Sequence, residues 1–416
     1  MNTTSWLDNM ALGTPRASLR KDISADIAII GGGLAGTLTA YLLCKAGKKA
    51  VILEKKDISD SITAYTTAWL NCVIDTDLTD LVQMYGDEGA RNVWRSGMDA
   101  IDLIEKIANE EGIDCDFQRV SHYRLADSKS DMEMLEREHE QAARLGFETA
   151  LHRENIFAFP GVGSLEIMSQ AKFHPIKFLI GLQKAAERHG AAIYENTEAL
   201  TISGDADVTV KTKQGSVTAG YAVIATYQPF EKIKELFAHT ASYTSYVFEA
   251  EIPKDLIPEG LYEDEKNPYH YFRIDAGQAS DRMILGGEDH RKEIPVSKEK
   301  NFRALESYLA DLVPQKSYAI KRRWSGPILE TIDGLAYIGN YSSRYPRRLI
   351  ATGFSGNGMT YSAIAASIIR DIILKKENPY INLYHAGRTT RPYNFFIRFL
   401  SFAGEFFGGA ARNFFR

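Results

Sequence analysis

One stretch near the start of the chain contains, in order, every part of a dinucleotide-binding βαβ unit. It reads DIAIIGGGLAGTLTAYLLCKAGKKAVILE and runs from Asp26 to Glu54. A short apolar strand leads into the G-x-G-x-x-G turn of Gly31, Gly33 and Gly36, a helix follows, and Glu54 ends a second strand, where a carboxylate can bind a ribose diol. The N-terminus of such a helix attracts a pyrophosphate. The stretch therefore predicts a bound nucleotide cofactor, and the alternative is a plain glycine-rich turn of an α/β protein.

Composition narrows the class of protein further. With 416 residues, 44% of them hydrophobic and 25% charged, the chain suits a globular protein of two domains, or one domain with insertions, and not a disordered or polytopic membrane protein. The net charge of −5 gives no reason to expect a nucleic acid partner. Cys44, Cys72 and Cys115 lack the spacing of a disulfide framework or a metal site, so a reducing cytoplasm and no metal are expected. Residues 1–22 lack the apolar core of a signal peptide.

A second glycine-rich turn occurs some 300 residues later, at Gly353, Gly356 and Gly358. It again leads from a strand into a helix, so two helix N-termini are available for two polar groups. A nicotinamide dinucleotide needs one such cradle. A buried flavin gains from a second helix directed at its pyrimidine edge, where negative charge develops on reduction. The two turns together therefore favour a flavin.

Segments of nucleotide-binding type alternate along the chain with segments of mixed pattern. A long helical region is predicted from Asp77 to Gly146. The predicted fold class is α/β, with α+β character in the substrate part: a Rossmann-like cofactor domain interleaved with a mixed-sheet substrate domain. The cofactor domain is predicted at 1–90, 155–228 and 324–385, the substrate or cap domain at 91–154 and 229–323, and an aromatic and basic tail at 386–416.

Several separate motifs carry a resemblance that covers most of the chain. They are IIGGGLAG with Glu54, TTA at 66–68, FHP at 173–175, GAAIYENTEALTI at 190–202, AVIAT at 222–226, RRWSGP at 322–327, DGLAYIG at 333–339 and ATGFSGNGMT at 351–360. With these motifs the chain resembles the D-amino acid oxidase family of FAD-dependent oxidoreductases, which includes glycine oxidase and sarcosine oxidase. Within this family the chain is similar to a bacterial branch in which a Rieske domain often follows the oxidoreductase; the shared motifs are TTAWL, IDCDF, ATYQPF and GGEDH. Its similarity to the gamma-glutamylputrescine oxidoreductases is more distant. A Rieske ligand set is absent from this sequence.

The resemblance implies a Rossmann-type FAD site and names its residues. Gly31, Gly33 and Gly36 hold the pyrophosphate, Glu54 holds the adenosine ribose, and the backbone of Ala199 contacts the adenine. The complete set of expected FAD-binding residues is Gly31, Gly33, Leu34, Ala35, Gly36, Glu54, Lys55, Thr66, Thr67, Ala68, Ala199, Ala225, Gly353, Gly356, Asn357, Gly358, Met359 and Thr360. None of the three cysteines lies in a motif that joins flavin covalently, so noncovalent FAD is expected.

The family chemistry is transfer of a hydride equivalent from the carbon bearing nitrogen to flavin N5, which needs no dedicated base. The resemblance thus implies oxidation of the C–N bond of an amine or amino acid to an imine. Arg273 is the candidate ligand for a substrate carboxylate, because its guanidinium matches a carboxylate with two hydrogen bonds. Tyr271 lies on the same face of the predicted strand. Thr360 stands where sarcosine oxidases have a lysine that promotes reaction with oxygen, so oxygen, a quinone and a protein all stay open as electron acceptors.

The tail differs in composition from the rest of the chain. Residues 385–416 contain five arginines, one glutamate and phenylalanines at near-helical spacing. Such a helix suits docking against the protein's own body or a second subunit, or peripheral binding at the inner face of a membrane. Two other functions stay open at this point: a flavoprotein that serves as redox or binding partner in a complex, and an FAD-dependent monooxygenase.

Overall fold

The computed structural model describes residues 4–8, 10, 15–57, 61–228, 240–292, 294–313 and 317–388. These residues form two β-sheets with helices packed against them. The helices are α1 (Leu34–Lys45), α2 (Leu78–Glu111), α3 (Lys129–Leu145), α4 (Pro175–Arg188), α5 (Lys298–Leu312), α6 (Gly358–Leu374) and α7 (Ile381–Tyr384). Single 3-10 turns occupy Ser5–Leu7 and Ile62–Tyr65. Most of the predicted tail lies outside the described residues.

The first sheet contains the N-terminal βαβ unit. Its strands are β1 (Ile23–Ile30), β2 (Ala50–Leu53), β7 (Ala192–Tyr194), β8 (Thr201–Ser203), β9 (Val208–Lys211), β10 (Ser216–Tyr227), β16 (Tyr337–Asn340) and β17 (Arg348–Thr352). The order is β16-β17-β10-β1-β2-β7, with β9 attached to β10 and β8 to β9. Strands β17, β10, β1, β2 and β7 run parallel. Ile27–Ile30 is buried throughout, as a parallel strand covered on both faces requires.

Helix α1 packs between α4 and α6 beside this sheet. Every residue from Leu34 to Cys44 is buried, so α1 is an internal helix and not an amphipathic surface helix. This arrangement of a parallel sheet, a glycine turn and a buried helix confirms the predicted α/β class with a Rossmann-like cofactor domain.

The second sheet is mixed. Its strands are β3 (Trp69–Leu70), β4 (Gln118–Ala126), β5 (Thr149–His152), β6 (Gly163–Lys172), β11 (Thr240–Pro253), β12 (Gly260–Asp264), β13 (His270–Asp275), β14 (Ser280–Arg291) and β15 (Ala319–Thr331). The order is β15-β11-β14-β13-β12-β4-β6-β3, with β5 attached to β6. Neighbours are antiparallel except β12 and β4, which run parallel. Helix α5 packs on β11 and β14.

The two sheets draw their strands from alternating parts of the chain, as the predicted interleaving requires. The exact boundaries stay predictions, because β6 belongs to the second sheet and β15 runs through position 324. The region from Asp77 to Gly146, predicted to be helical in character, contains two helices and one strand. Strand β4 separates α2 from α3, since its alternating side chains pair with β6 and β12 in the second sheet.

Candidate functional site

The first glycine turn joins β1 to α1 so tightly that two positions have no room for a side chain. Gly31 has φ +108°, and a Cβ there would lie 2.4 Å from the carbonyl oxygen of Ala225. A Cβ on Gly36 would lie 2.0 Å from the carbonyl oxygen of Gly31. Gly33 is the N-cap of α1 and carries no side chain to cap the helix. The N-terminal end of α1 is therefore accessible to an anion.

Glu54 follows β2 beside this turn. Its Oε2 accepts a hydrogen bond from the backbone N–H of Gly32 at 2.7 Å, and its Oε1 accepts one from Lys56 N at 3.0 Å. These two bonds fix the carboxylate next to the glycine turn. Lys55 forms an exposed ion pair with Glu198 at 2.7 Å, and both residues lie at the same end of the site.

A cavity of about 520 Å³ extends from this turn to the second sheet. It is lined by fourteen of the eighteen residues predicted to bind the cofactor: Gly31, Gly33, Leu34, Ala35, Glu54, Lys55, Thr66, Thr67, Ala199, Ala225, Gly356, Asn357, Gly358 and Met359. Tyr271 lines it as well. Gly36, Ala68, Gly353, Thr360 and Arg273 are not among its lining residues.

The second glycine turn brings the N-terminus of α6 to the same cavity. Gly353 has φ +69°, and a Cβ there would meet the side chain of Thr331 at 2.4 Å. Helix α6 begins at Gly358, and its N-cap, Asn357, makes no side-chain capping bond. Because both residues line the cavity, two helix N-termini open on one space.

Thr360 lies behind this turn. It is buried, and its Oγ1 accepts a hydrogen bond from the backbone N–H of Asn71 at 3.2 Å. Its hydroxyl thus connects the N-terminus of α6 to the segment that contains Asn71, and its predicted role at the reacting end stays a prediction.

The segment Thr66–Ala68 crosses between the two turns. The backbone N–H of Ala68 donates to Thr66 Oγ1 at 2.9 Å, and Ala68 has a positive φ of 59°. The indole N–H of Trp6 donates to the carbonyl of Thr66 at 2.8 Å. An unusual backbone conformation is therefore fixed from both sides, as is common where a ligand must be positioned.

Arg273 supports the same segment from beneath. It is 3% exposed, and its Nη1 donates to the carbonyls of Thr67, Ala68 and Phe173 at 3.0–3.1 Å. Its Nε and Nη2 donate to Asp275 Oδ1 at 3.0 and 2.7 Å. These partners occupy the donors that a substrate carboxylate would need. That Arg273 binds the substrate carboxylate stays a prediction, and in the structure the arginine supports the segment that lines the cavity.

Asp275 balances the charges around Arg273. Burial alone would raise its pKa, but Arg273, Arg282 and Lys172 surround it and hold the pKa of the carboxyl well below its usual range. Lys172 Nζ donates to Asp275 Oδ1 at 2.9 Å, and Arg282 Nη2 donates to Oδ2 at 2.6 Å. Asp275 is therefore ionised at neutral pH.

The end of the cavity formed with the second sheet combines aromatic rings and carboxylates. We call it the acidic chamber, lined by Trp69, Asp75, Ser245, Glu263, Tyr269 and Tyr271. The hydroxyl groups of Tyr271 and Ser245 are 3.1 Å apart. Tyr271 stacks on Tyr269 with ring centroids 5.6 Å apart and meets Trp69 edge-on at 5.7 Å.

Asp289 lies behind this chamber. The hydroxyl of Tyr269 donates to its Oδ2 at 3.4 Å, whereas its buried Oδ1 has no hydrogen-bond partner among the described residues. Burial raises the pKa of Asp289 to about 7, and the charges of Asp75 and Glu288 add to the rise. Hydrogen bonds from Ser245 and Tyr269 act in the opposite direction and lower the pKa of this carboxyl.

Glu263 is the chamber carboxylate that lies beside His122 and Arg124. Its Oε1 lies 3.4 Å from His122 Nε2 and 3.4 Å from Arg124 Nε. Burial opposes ionisation, but His122 and Arg124 lower the pKa of Glu263 overall. Arg124 also contacts Asp77, Glu138 and Glu265, so its single charge is shared among four carboxylates.

Sequence reasoning missed most of the acidic chamber. Two signals were available: Trp69 directly follows the TTA motif, and Tyr269 precedes Tyr271 by two residues and so shares its face. Asp75, Ser245 and Glu263 come from three distant segments with no local pattern.

The parallel sheet, the two glycine turns and their shared cavity define a dinucleotide-binding protein of the Rossmann type. Residues 26–372 match the DAO family, described as FAD dependent oxidoreductase. The chain belongs to this family.

Individual relatives agree over most of the chain. The YhfW protein of Bacillus subtilis, whose name describes a Rieske 2Fe-2S iron-sulfur protein, is 30% identical over 89% of this chain and 73% of its own length. Gamma-glutamylputrescine oxidoreductase of Escherichia coli is 24% identical over 91% of this chain and 92% of its own. Glycine oxidase from Geobacillus kaustophilus superposes with a TM-score of 0.74 at 20% identity, covering 88% of this chain and 99% of its own, which shows a shared fold.

Two features are absent from the described residues. No helix in these ranges is long and apolar enough to cross a membrane. Within the same ranges, no group of three or more His, Cys, Asp or Glu side chains is arranged to hold a metal ion.

Proposed function

We propose that this protein binds FAD noncovalently and oxidises the C–N bond of an amine or amino acid to an imine. The observation that carries the proposal is a single cavity on which two glycine-turn helix N-termini and an aromatic chamber all open. Relatives named gamma-glutamylputrescine oxidoreductase and glycine oxidase support the same choice of chemistry.

The residues present fit the dinucleotide half of FAD. At Gly31 and Gly36 a Cβ would collide with backbone, and this close packing leaves the N-terminus of α1 open to the pyrophosphate. Glu54 is held at the carboxyl end of β2, where it can accept hydrogen bonds from the ribose diol. Lys55 and Ala199 line the same end and would contact the adenosine.

The remainder of the predicted set suits the ring. Thr66 and Thr67 line the cavity between the turns, while Gly356, Asn357, Gly358 and Met359 present the N-terminus of α6. The positive end of α6 favours the negative charge that a flavin acquires on reduction. Gly36, Ala68, Gly353 and Thr360 do not line the cavity, and their role in the proposal is to position the residues that do.

When bound, FAD accepts the hydride equivalent that the substrate carbon loses. The chain itself orients the substrate and excludes water. Trp69, Tyr269 and Tyr271 supply an apolar surface for the carbon bearing the nitrogen. No cysteine or histidine is among the described lining residues, which supports noncovalent binding. The three cysteines are free and buried, which agrees with a reducing cytoplasm as the location we propose.

The test uses purified protein. A flavin absorption spectrum, with the flavin released into the supernatant on denaturation, is expected if FAD is bound noncovalently. Anaerobic addition of a panel of amines and amino acids is expected to bleach the flavin band with at least one of them. Flavin that stays with the precipitated protein would contradict noncovalent binding, and failure of the whole panel would contradict amine oxidation.

A further inference from the structure

A short segment before the first strand contacts both parts of the molecule. We call residues 4–8 the N-terminal clamp; it contains the 3-10 turn Ser5–Leu7 and lies outside the range 26–372 that matches the family. Trp6 is 0% exposed, whereas Asp8, two residues later, is exposed. The clamp is therefore a surface segment with one large side chain inserted into the core.

The clamp is attached to three adjacent strands of the second sheet. The hydroxyl of Ser5 donates to Glu249 of β11, and Nη1 of Arg282 in β14 donates to Ser5 Oγ at 3.4 Å. Asp8 forms an ion pair with Arg322 of β15. Since these strands are neighbours in the order β15-β11-β14, the clamp is held across this part of the sheet.

The indole of Trp6 lies where the clamp meets the cofactor part of the molecule. The guanidinium carbons of Arg282 and Arg273 lie 4.8 and 5.3 Å from the ring centroid, and cations are attracted to the face of an indole. His174 meets the ring edge-on with centroids 4.9 Å apart. These contacts fix the ring, and its N–H donates to the carbonyl of Thr66 at 2.8 Å.

Three consecutive carbonyls of the cavity wall accept hydrogen bonds from two buried side chains. Trp6 supplies the bond to Thr66, and Arg273 supplies those to Thr67 and Ala68. Ala68 has a φ of +59°, a conformation that a non-glycine residue keeps only when its surroundings hold it. Thr66 and Thr67 line the cavity, whereas Trp6 is not among the lining residues. Any influence of Trp6 on a bound ligand therefore passes through Thr66.

The hydrogen bond of Trp6 distinguishes it from the other tryptophans. The indole N–H groups of Trp69, Trp94 and Trp324 are buried and have no hydrogen-bond partner among the described residues. Replacing Trp6 by phenylalanine takes a donor from the Thr66 carbonyl, whereas the same change at Trp94 removes no hydrogen bond seen in these ranges. Trp94 thus offers a matched control.

We infer that Trp6 is a positioning residue of the cofactor site: its indole N–H fixes the Thr66 carbonyl and so sets the path of the Thr66–Ala68 wall that the flavin meets. This inference rests on the proposed FAD binding and adds to that site a segment outside the family match. The clamp thereby connects the cofactor wall to the sheet that carries the acidic chamber.

The test titrates three apoproteins with FAD and follows the flavin fluorescence. They are the wild type, Trp6→Phe and the control Trp94→Phe. Both variants replace a buried indole by the same smaller ring, and Trp94 lies in α2 and is not among the residues that line the cavity. The Kd of FAD is expected to rise about tenfold in Trp6→Phe, the effect of one lost buried hydrogen bond, and to stay unchanged in Trp94→Phe.

A spectroscopic readout separates positioning from a purely structural role. At saturating FAD, the visible circular dichroism of the bound flavin is expected to change in Trp6→Phe and to match the wild type in Trp94→Phe, although both variants should unfold at lower urea concentrations. A Trp6→Phe protein with the wild-type Kd and spectrum, or equal changes in both variants, would overturn the inference and leave FAD binding standing. A wild-type apoprotein that binds no FAD would contradict the proposed function itself, and the inference would fail with it.

A second replacement covers the case in which Trp6→Phe does not fold. The residue β-(3-benzothienyl)alanine, incorporated at position 6, has nearly the shape of tryptophan and carries sulfur in place of the N–H group. It retains the ring contacts with Arg282 and His174 and loses the donor to Thr66. The same rise in the Kd of FAD is expected, and a wild-type Kd would overturn the inference.

Discussion

Replacing Arg273 by methionine separates its observed structural role from the substrate role that sequence predicts. The change removes three hydrogen bonds to the carbonyls of Thr67, Ala68 and Phe173, and it removes one of the three cations that contact the largely buried Asp275. Breaking a buried ion pair by removing one partner costs about 3–5 kcal/mol. We expect Arg273→Met to lower the free energy of unfolding by about that amount and to weaken flavin binding, because the Thr66–Ala68 segment loses its support.

Arg282→Met is the matched control. Arg282 contacts the same carboxylate and packs over the ring of Trp6 as Arg273 does. It is one-third exposed, however, and donates to no backbone carbonyl of the described residues. We expect a loss of about 1 kcal/mol, as for a more exposed ion pair. The difference between the variants measures what the three carbonyl contacts contribute.

The assay is urea unfolding followed by circular dichroism, with FAD affinity from fluorescence titration of the apoprotein. Half-saturating concentrations for carboxylate-bearing and carboxylate-free amines are expected to change by the same factor. The reasoning would be refuted by an Arg273→Met protein as stable as the wild type that loses affinity for carboxylate-bearing substrates alone.

Two further predictions concern backbone packing and pH. Gly36→Ala places a Cβ 2.0 Å from the carbonyl oxygen of Gly31, so we expect this variant to lose its bound flavin. The control is Gly47→Ala, whose Cβ meets nothing within 4 Å and which should retain the flavin. Equal flavin content in the two purified variants would contradict the prediction. His174 caps α4 by accepting a hydrogen bond from Lys177 N at 3.2 Å, and burial with the charge of Lys177 lowers its pKa from 6.5 to about 4. Between these two pKa values the unfolded chain binds more protons than the folded one, so the free energy of unfolding should fall as the pH drops from about 6.5 towards 4. His174→Asn retains a hydrogen-bond acceptor that does not titrate, so it should flatten this part of the plot of urea midpoint against pH. An unchanged plot would count against a neutral His174 cap.

The parts of the site that sequence predicts best are those enforced by backbone geometry. The glycines of both turns could be identified because a Cβ at Gly31, Gly36 or Gly353 would collide with a neighbouring atom, and this restriction appears directly as a spaced sequence motif. The interleaved α/β architecture followed from the same units, since a strand, a glycine turn and a helix form a local pattern.

The chamber could not be predicted in the same way. Asp75 follows β3, Ser245 lies in β11 and Glu263 in β12, so their proximity depends on the strand order of the second sheet and not on any local spacing. The contacts of Arg273 could not be predicted for a related reason. An arginine in a strand has the same local signature whether its guanidinium meets a substrate or three backbone carbonyls, and only the path of the distant Thr66–Ala68 segment decides between them.

The strand order of the first sheet has a consequence for synthesis on the ribosome. β1 is complete at residue 30, but its second neighbour, β10, is not made until residue 227. At ~5–20 residues per second, the intervening ~200 residues take roughly 10–40 s to translate. Throughout that interval the apolar run Ile27–Ile30 has an unpaired edge, the kind of surface that attracts other nascent chains. Slower translation prolongs this exposure, so we expect the yield of folded protein to depend on chaperones that cover apolar strands until residue 227 has emerged.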